Sequence, residues 1–504
     1  MKILFVRPPR YMWPMNSESS SFWQPLGFAS MAAVLRENGF KDVEILDCLP
    51  LKIGWKSLAN KLRIKNPDII CVGDETASYY ESVKVIKLTR KIFPNVIIIA
   101  GGYYFGNMPE ESLKKTSIDF IVRGEGEITL LELIKNISNQ NKNYSKIKGI
   151  CFRTKNGIKI NLPREPINNL DDLPFPAYDL LPMHLYGKKS KNHKNFVAME
   201  HGRGCVGSCT FCSIWQQMPK HTKDGKLIPC YRTKSAKRCF EETKYFVEKY
   251  NRKTINWVDG TFNADPNWTK EYFGLLEKYN IKVNHTTWMR ADFIVRDEKL
   301  GLMKKMADNG LVQIIVGMER FDDDSMKKLG KYNNSLEINK QAFKILKKYP
   351  KIYSIATLIY GMPDDKWKDL FMINKMIHSN FADMIFMLPF TPYPGTADWE
   401  KYKDKVKDVD LRKFNLHLPV MSTKYIPRWQ LNIWFKFSLL DYLIFRPKNV
   451  IKRIAKERNI RKKNVQKSLA GKIWKLATRH AWNKIRFQKI DELEYGIKPK
   501  WYDK

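Results

Sequence analysis

No apolar run in this sequence is long enough to cross a bilayer; the nearest approach, residues 431–445, is interrupted by Lys436 and Asp441. A cleavable leader is also missing, because MKILFVRPPR passes from a short apolar strand into a Pro-Pro turn with no hydrophobic region behind it. These absences point to a cytoplasmic protein whose eight cysteines are thiols or metal ligands rather than disulfides. Acidic residues are scarce: 52 Asp and Glu stand against 89 Lys and Arg, a net charge of +37. That imbalance reflects either lysine-rich usage across the surface or attraction to an anionic partner. The charge is uneven, since residues 446–489 hold sixteen Lys and Arg and one acid, Glu457. Internal repeats are absent. No nucleic-acid-binding module is recognisable, so no specific nucleic acid is expected as a partner.

What is present is a chain of 504 residues with 43% apolar content, enough for two or three packed domains. Short apolar runs at 3–6, 43–46, 69–72, 96–99 and 120–122 alternate with amphipathic stretches at 26–38, 81–92 and 127–137. This pattern predicts an α/β unit over 1–140, a doubly wound parallel sheet of Rossmann type. Ligands of such sheets sit outside the carboxyl ends of the strands. A hairpin around Asn156-Gly157 and a Pro-rich stretch at 170–176 form a connector over 141–183. Six further strand–helix alternations over 184–405 predict a partial (β/α)6 barrel, with its chemistry at the carboxyl ends of the strands. Residues 406–504 read as helical, aromatic and basic.

Cys205-Val206-Gly207-Ser208-Cys209-Thr210-Phe211-Cys212 follows the first barrel strand. Soft thiolates suit iron–sulfur or zinc, and the missing fourth cysteine leaves one metal position open, whereas structural zinc takes four ligands. Two alternatives stand: a zinc site completed by His201, Cys230 or Cys239, and plain buried cysteine. The position after a strand that opens six βα units favours the cluster. One cluster is expected, because Cys230 and Cys239 form no compact motif and Cys48, Cys71 and Cys151 read as core. His285, on the third strand, is read as a satisfied core histidine ahead of an acid–base group.

The CxxxCxxC spacing after the first strand of a partial barrel resembles the signature of the radical S-adenosylmethionine (SAM) superfamily. The resemblance implies that Cys205, Cys209 and Cys212 hold a [4Fe-4S] cluster whose open iron is chelated by SAM. One electron, from a donor such as flavodoxin or ferredoxin, then gives methionine and a 5′-deoxyadenosyl radical. It implies that Phe211 lies near the adenine, that Glu319 and Arg320 contact the ribose and methionine, and that Gly361 lies in an adenine-contacting turn. In that turn Thr357 stands where glycine is frequent. Asp259 and Thr261, ending the second strand, and Arg290, ending the third, are expected to face the cofactor.

Pro25-Leu26-Gly27, Gly101-Gly102, Arg123-Gly124-Glu125-Gly126-Glu127 and the connector LDDLPFP together resemble the cobalamin-binding subclass. This implies cobalamin against Pro9, Thr76, Gly101, Gly102, Gly124 and Glu125. Two departures stand out. The loop after the first strand reads Arg7-Pro8-Pro9-Arg10-Tyr11-Met12-Trp13, without the Asp-x-His-x-x-Gly whose histidine binds cobalt. Tyr103-Tyr104 replaces a common Pro-His pair. The tail is similar to that of anaerobic magnesium-protoporphyrin ester cyclases and lipid-modifying members, which implies a lipid-like or tetrapyrrole substrate and peripheral membrane contact beside a cap over the barrel mouth. The implied function is methylation of an unactivated carbon. The alternatives are cyclisation or oxidation without methyl transfer, and a non-catalytic zinc-binding membrane or RNA adaptor.

Overall fold

The structure is a computed structural model that describes residues 1–11, 23–187, 195–379, 381–406, 409–445 and 498–504. The lysine-rich run 446–489, with Trp474 and Trp482, and residues 12–13 of the loop after the first strand lie outside the described residues.

In the first domain β1 (Ile3–Arg7), β2 (Val43–Asp47), β3 (Ile69–Asp74), β4 (Ile97–Gly101) and β5 (Phe120–Val122) form a parallel sheet in the order β2-β1-β3-β4-β5. Successive side chains of a strand point to opposite faces, and both faces of this sheet are covered. Ile3 and Phe5 of β1 join one core with Leu35 of α1 (Leu26–Glu37) and Leu133 of α6 (Gly126–Ser138). Leu4 and Val6 join the opposite core with Leu58 and Leu62 of α2 (Trp55–Lys65) and Val85 and Ile86 of α3 (Tyr79–Ile92). Two short helices, α4 (Gly102–Asn107) and α5 (Pro109–Lys115), follow β4. This is the expected doubly wound unit.

The hairpin differs from its expected role as a connector. Its strands β6 (Ile150–Thr154) and β7 (Gly157–Ile160) continue the first sheet, β6 lying antiparallel to β5. Pairing covers the ladder edge of β5, which would otherwise stay open. The first sheet therefore extends to residue 160.

The second domain has six parallel strands, β8 (Phe196–Met199), β9 (Thr254–Trp257), β10 (Asn284–Met289), β11 (Leu311–Glu319), β12 (Tyr353–Tyr360) and β13 (Met384–Pro389), in unbroken sequential order. Between β8 and β9 lie α7 (Ser213–Gln217) and α8 (Ala236–Tyr250). The other crossovers are α9 (Pro266–Lys278), the pair α10 (Ala291–Lys299) and α11 (Leu302–Asp308), the pair α12 (Asp323–Lys328) and α13 (Leu336–Lys347), and α14 (Trp367–His378). After β13 come α15 (Ala397–Val406) and α16 (Arg428–Phe445). The first and last strands are not paired, so the barrel is partial, as expected. Among the described residues no helix is long and apolar enough to cross a membrane.

The cap expected from the tail is present in α16. Its Leu431 and Phe435 are buried, Phe435 stacks on Tyr360 at the end of β12, and Trp434 lies 5.2 Å from the same ring.

A buried set of charges joins the domains. Arg203, two residues before Cys205, donates to Glu127 at 2.7 Å and to Glu200 at 2.9 Å, with Glu125 at 3.3 Å. Arg232 donates to both oxygens of Glu125, at 3.0 and 2.9 Å. Burial pushes the Glu127 carboxyl up, but the Arg203 guanidinium outweighs it and holds the group below its ordinary value. The ion pair therefore contributes stability above the usual glutamate range and loses it as pH falls through the lowered value. Arg203→Met leaves the buried Glu127 carboxylate without its cation and removes one partner each from Glu125 and Glu200, and the expected cost is about 3–5 kcal/mol. Chemical denaturation at neutral pH checks it, and an unshifted midpoint would contradict the role given to Arg203.

Candidate functional site

The cluster loop starts where β8 ends. Gly202–Arg203 pairs antiparallel with Arg232–Thr233, which fixes the direction in which the chain enters Gly204. That glycine has φ +76° and abuts the Cys230 carbonyl, so a side chain there has neither the torsion nor the room. Inside the loop Gly207 donates its N–H to Cys205 Sγ at 3.4 Å, and Thr261 Oγ1 lies 3.2 Å from the same sulfur. A Cβ on Gly207 would stand 3.9 and 4.0 Å from the Cys205 and Cys209 sulfurs and 3.1 Å from Arg290 Nη1. Cys205, Cys209, Thr261 and Arg290 thus lie close together.

Neighbouring segments hold the loop in shape. Trp215 of α7 donates to the Cys209 carbonyl at 2.8 Å, and Gln216 to the Cys212 carbonyl at 2.8 Å. Thr210 donates its N–H to Leu329 O at 3.0 Å and its hydroxyl to Asp398 at 3.1 Å. These partners were not singled out in the sequence. Trp215 and Gln216 carry a local signal, since they open the short helix directly after Cys212.

The thiols themselves fit a metal cluster. Burial pushes the Cys212 thiol up to about 12, with Cys209 adding to it, and burial also raises Cys209, which Lys331 partly offsets. A bound cation among the sulfurs would offset that rise at Cys209 and Cys212 and favour their thiolates. Among the described residues no three His, Cys, Asp or Glu side chains converge on a single ion.

The partners expected for zinc are engaged elsewhere. His201 Nε2 lies 3.0 Å from the Tyr231 hydroxyl, and Nδ1 lies 2.7 Å from Asp259 Oδ2, out of line for a full hydrogen bond. Cys230 and Cys239 are buried, and burial raises the Cys239 thiol well above its ordinary value.

Glu319 ends β11 in a strained geometry. The register with β12 shifts between Gly317 and Glu319, and Glu319 has φ +67°, rare for a residue with a side chain. The result is a carboxylate turned back toward the cluster loop. Its Oε1 accepts from Lys331 Nζ at 3.0 Å and its Oε2 from the Thr357 hydroxyl at 3.1 Å. Lys331 also donates to the Gly317 carbonyl and is buried. Thr357, which departs from the family pattern, therefore has a task here. Lys331 was missed, and no spacing in the sequence marks it.

Phe211 packs with Ile359, Met362 and Phe390, beside the turn at Gly361. Gly361 has φ +73°, and a Cβ there would stand 3.2 Å from Leu431 of the α16 cap. Phe211 and Gly361 therefore share one wall.

Three of the residues expected at the cofactors also have partners within the protein. Asp259 is buried and accepts the backbone N–H groups of His201 and Gly202 at 2.9 and 2.6 Å, so it holds the entrance of the cluster loop. Arg320 is buried in a two-pronged pair with Asp365, at 3.1 and 2.7 Å, and donates to Ile359 O, so it fixes the Gly361 turn. Glu125 is spent on Arg232, Arg203 and the Ile167 N–H, the last at 2.6 Å. Most of their polar atoms are paired within the protein, while Asp259 Oδ2 and Arg320 Nε are buried without a hydrogen-bond partner. His285 is confirmed as core: it accepts from Trp257 Nε1 at 3.2 Å, and burial pushes it down to about 3, so it stays neutral.

On the first domain, Gly101 is extended and Gly102 has φ +87°, which opens α4 at the carboxyl end of β4. Asn107 of α4 reaches Gln217 Oε1 of α7 at 3.0 Å and Pro394 O at 3.1 Å. Gly124, φ +69°, also faces α7, with the Gln217 carbonyl 3.9 Å from where its Cβ would be. The carboxyl edge of the first sheet is thereby held against the helix that follows Cys212. Pro9 and Thr76 are buried at the same edge, after β1 and β3. A glycine-lined backbone there suits close approach of a large flat ligand. Tyr103, at the start of α4, has its phenol pushed up to about 12, first by burial and then by Cys212.

Residues 199–375 match the sequence profile of the radical SAM superfamily, and residues 12–134 match that of the B12 binding domain. Over 457 residues the chain is 27% identical to an uncharacterized methyltransferase of Pyrococcus horikoshii, covering 90% of this chain and 95% of that protein. It is 26% identical to the anaerobic magnesium-protoporphyrin IX monomethyl ester cyclase of Rubrivivax gelatinosus, covering 86% and 75%. The fold is shared with the radical SAM methyltransferase TsrM of Kitasatospora setae, at a TM-score of 0.63 and 15% identity over 81% of this chain and 77% of that one. The cofactors that go with these two domains are a [4Fe-4S] cluster, SAM and cobalamin. With its cysteine loop after the first barrel strand and a B12 binding domain packed against it, the chain is an enzyme that joins a radical SAM domain to a B12 binding domain, as its cobalamin-binding radical SAM relatives do.

Proposed function

We propose that this enzyme transfers a methyl group to an unactivated carbon of a hydrophobic small molecule, lipid-like or tetrapyrrole, held between the cluster loop and the carboxyl edge of the first sheet. The observation that carries the reading is the apposition of those two surfaces across α7. Gly102 and Gly124 lie on one side and the cysteines on the other. When bound, the cluster with SAM supplies one-electron cleavage to a carbon radical, and cobalamin supplies a transferable methyl group.

The protein's own part can be derived residue by residue. Hydrogen bonds from Thr261 and the Gly207 N–H stabilise negative charge on the Cys205 sulfur. Arg290 and Lys331 add positive charge beside the loop. Glu319, oriented by Thr357 and Lys331, offers a carboxylate suited to the SAM ammonium. Phe211, Ile359 and Met362 give an apolar wall for an adenine ring. The buried Arg203–Glu125–Glu127 group keeps both halves of the site in register. Electrons come from a one-electron donor such as flavodoxin or ferredoxin, and a membrane-resident substrate accords with peripheral membrane contact near the tail.

Similarity to the ester cyclase favours a second reading, ring-forming oxidation without methyl transfer. Methylated product with S-adenosylhomocysteine supports the transferase; deoxyadenosine as the only nucleoside product supports the cyclase. Cys212→Ala is expected to abolish deoxyadenosine formation by anaerobically reconstituted protein, and wild-type formation would overturn the cluster assignment. Thr357→Val frees the Glu319 carboxylate to swing. It is expected to weaken SAM binding about tenfold, the order of one hydrogen bond to a charged group, with iron content unchanged. The SAM-dependent change in the electron paramagnetic resonance signal of the reduced cluster reads this out, and unaltered affinity would contradict the role of Thr357.

A further inference from the structure

The face of α16 turned away from the barrel carries large apolar side chains in water. Leu431 and Phe435 point inward, whereas Trp429, Ile433 and Phe437 recur every fourth residue and are 62%, 38% and 65% exposed. The neighbouring α14 behaves alike: Leu370, Ile373 and Ile377 are buried, while Trp367, Phe371 and Met372 are 42%, 69% and 44% exposed. Tyr425, half exposed just before α16, joins the two helices, because the ammonium of Lys366 at the start of α14 lies 4.7 Å from its ring centroid and that of Lys424 lies 5.6 Å away. Exposed Lys368 and Lys375 extend this cationic rim along α14; the acids on the same stretch are Asp364, Asp365 and Asp369, of which Asp365 is buried against Arg320 and Asp369 caps the helix. Soluble surfaces scatter single apolar residues, but an aromatic face shared by two helices marks a contact surface.

We propose that the outer faces of α14 and α16 dock on an anionic phospholipid bilayer, with Trp367, Phe371, Trp429, Ile433 and Phe437 entering the headgroup–acyl boundary and the lysines pairing with lipid phosphates. Charge selects this occupant. A second copy of the chain would bring the same +37, and the sequence following α16 adds sixteen basic residues against one acid over 446–489. Lys and Arg near an anionic leaflet strengthen attachment, while the aromatics supply the insertion that charge alone lacks. Leu431, on the opposite face of α16, lies over the Gly361 turn of the barrel. Docking therefore sets the barrel mouth beside the lipid surface.

The test is co-sedimentation of the full reconstituted protein with vesicles of phosphatidylcholine alone or of phosphatidylcholine and phosphatidylglycerol, beside the triple variant Trp429→Gln, Ile433→Asn, Phe437→Gln. The wild type is expected to bind the phosphatidylglycerol vesicles, with blue-shifted tryptophan emission, and to ignore the neutral ones. The triple variant should bind at least tenfold more weakly, with an unchanged cluster spectrum and unchanged deoxyadenosine formation in vesicle-free buffer. Equal binding of variant and wild type overturns the proposal, as do equal binding to neutral vesicles and no binding at all. A concentration-dependent dimer, or single-stranded RNA displaced only by the wild-type stripe, would assign the face to another partner. None of these outcomes bears on methyl transfer, so the two readings fail separately.

Discussion

Everything in this site depends on one buried cation. Arg203 stands two residues before Cys205, on the strand that carries the chain into the cluster loop, and its guanidinium is shared among Glu125, Glu127 and Glu200. Two of those carboxylates belong to the first domain. The position of the cysteines relative to the B12 binding domain is therefore set through directional, charge-assisted hydrogen bonds beside an apolar core that runs through both domains. Buried ion pairs are poor sources of net stability, because desolvation cancels much of the attraction. What such a group does well is penalise every other alignment, since a slip leaves charges buried without partners. Fixed separation between two reacting centres is what a radical reaction across a domain interface requires.

The second constraint is the geometry at the end of β11. A register shift and a left-handed torsion at Glu319 cost free energy locally, of order 1–3 kcal/mol, and they turn a carboxylate toward the cysteines that a regular strand would point elsewhere. Lys331 and Thr357 hold it there. Arg320, the next residue, is tied to Asp365 and fixes the turn at Gly361. Adjacent residues thus divide the work, one facing the site and one bracing it.

Much of the fold was legible because strand and helix periods differ, and all five parallel strands of the first domain begin within a residue of the runs read from the sequence. The three cysteines were legible for a chemical reason: soft donors in one loop with a ligand missing. The partners that Glu125, Asp259 and Arg320 find within the protein were not. Their motifs marked positions that matter, but whether a carboxylate faces a ligand or an arginine is decided by residues distant in sequence, such as Arg232 and Asp365. Lys331 left no local trace, because it meets Glu319 only once α12 folds back over the loop. The hairpin's place in the first sheet was likewise a matter of tertiary pairing, which alternation alone does not specify.

The central claim is that one iron–sulfur cluster and one corrinoid occupy facing surfaces of the two locked domains. The most direct measurement is the metal and corrinoid content, with the absorption spectrum, of protein reconstituted without oxygen in the presence of hydroxocobalamin. The account predicts about four irons and one corrinoid per chain. Zinc in place of iron, or a full iron complement with no bound corrinoid, would contradict it.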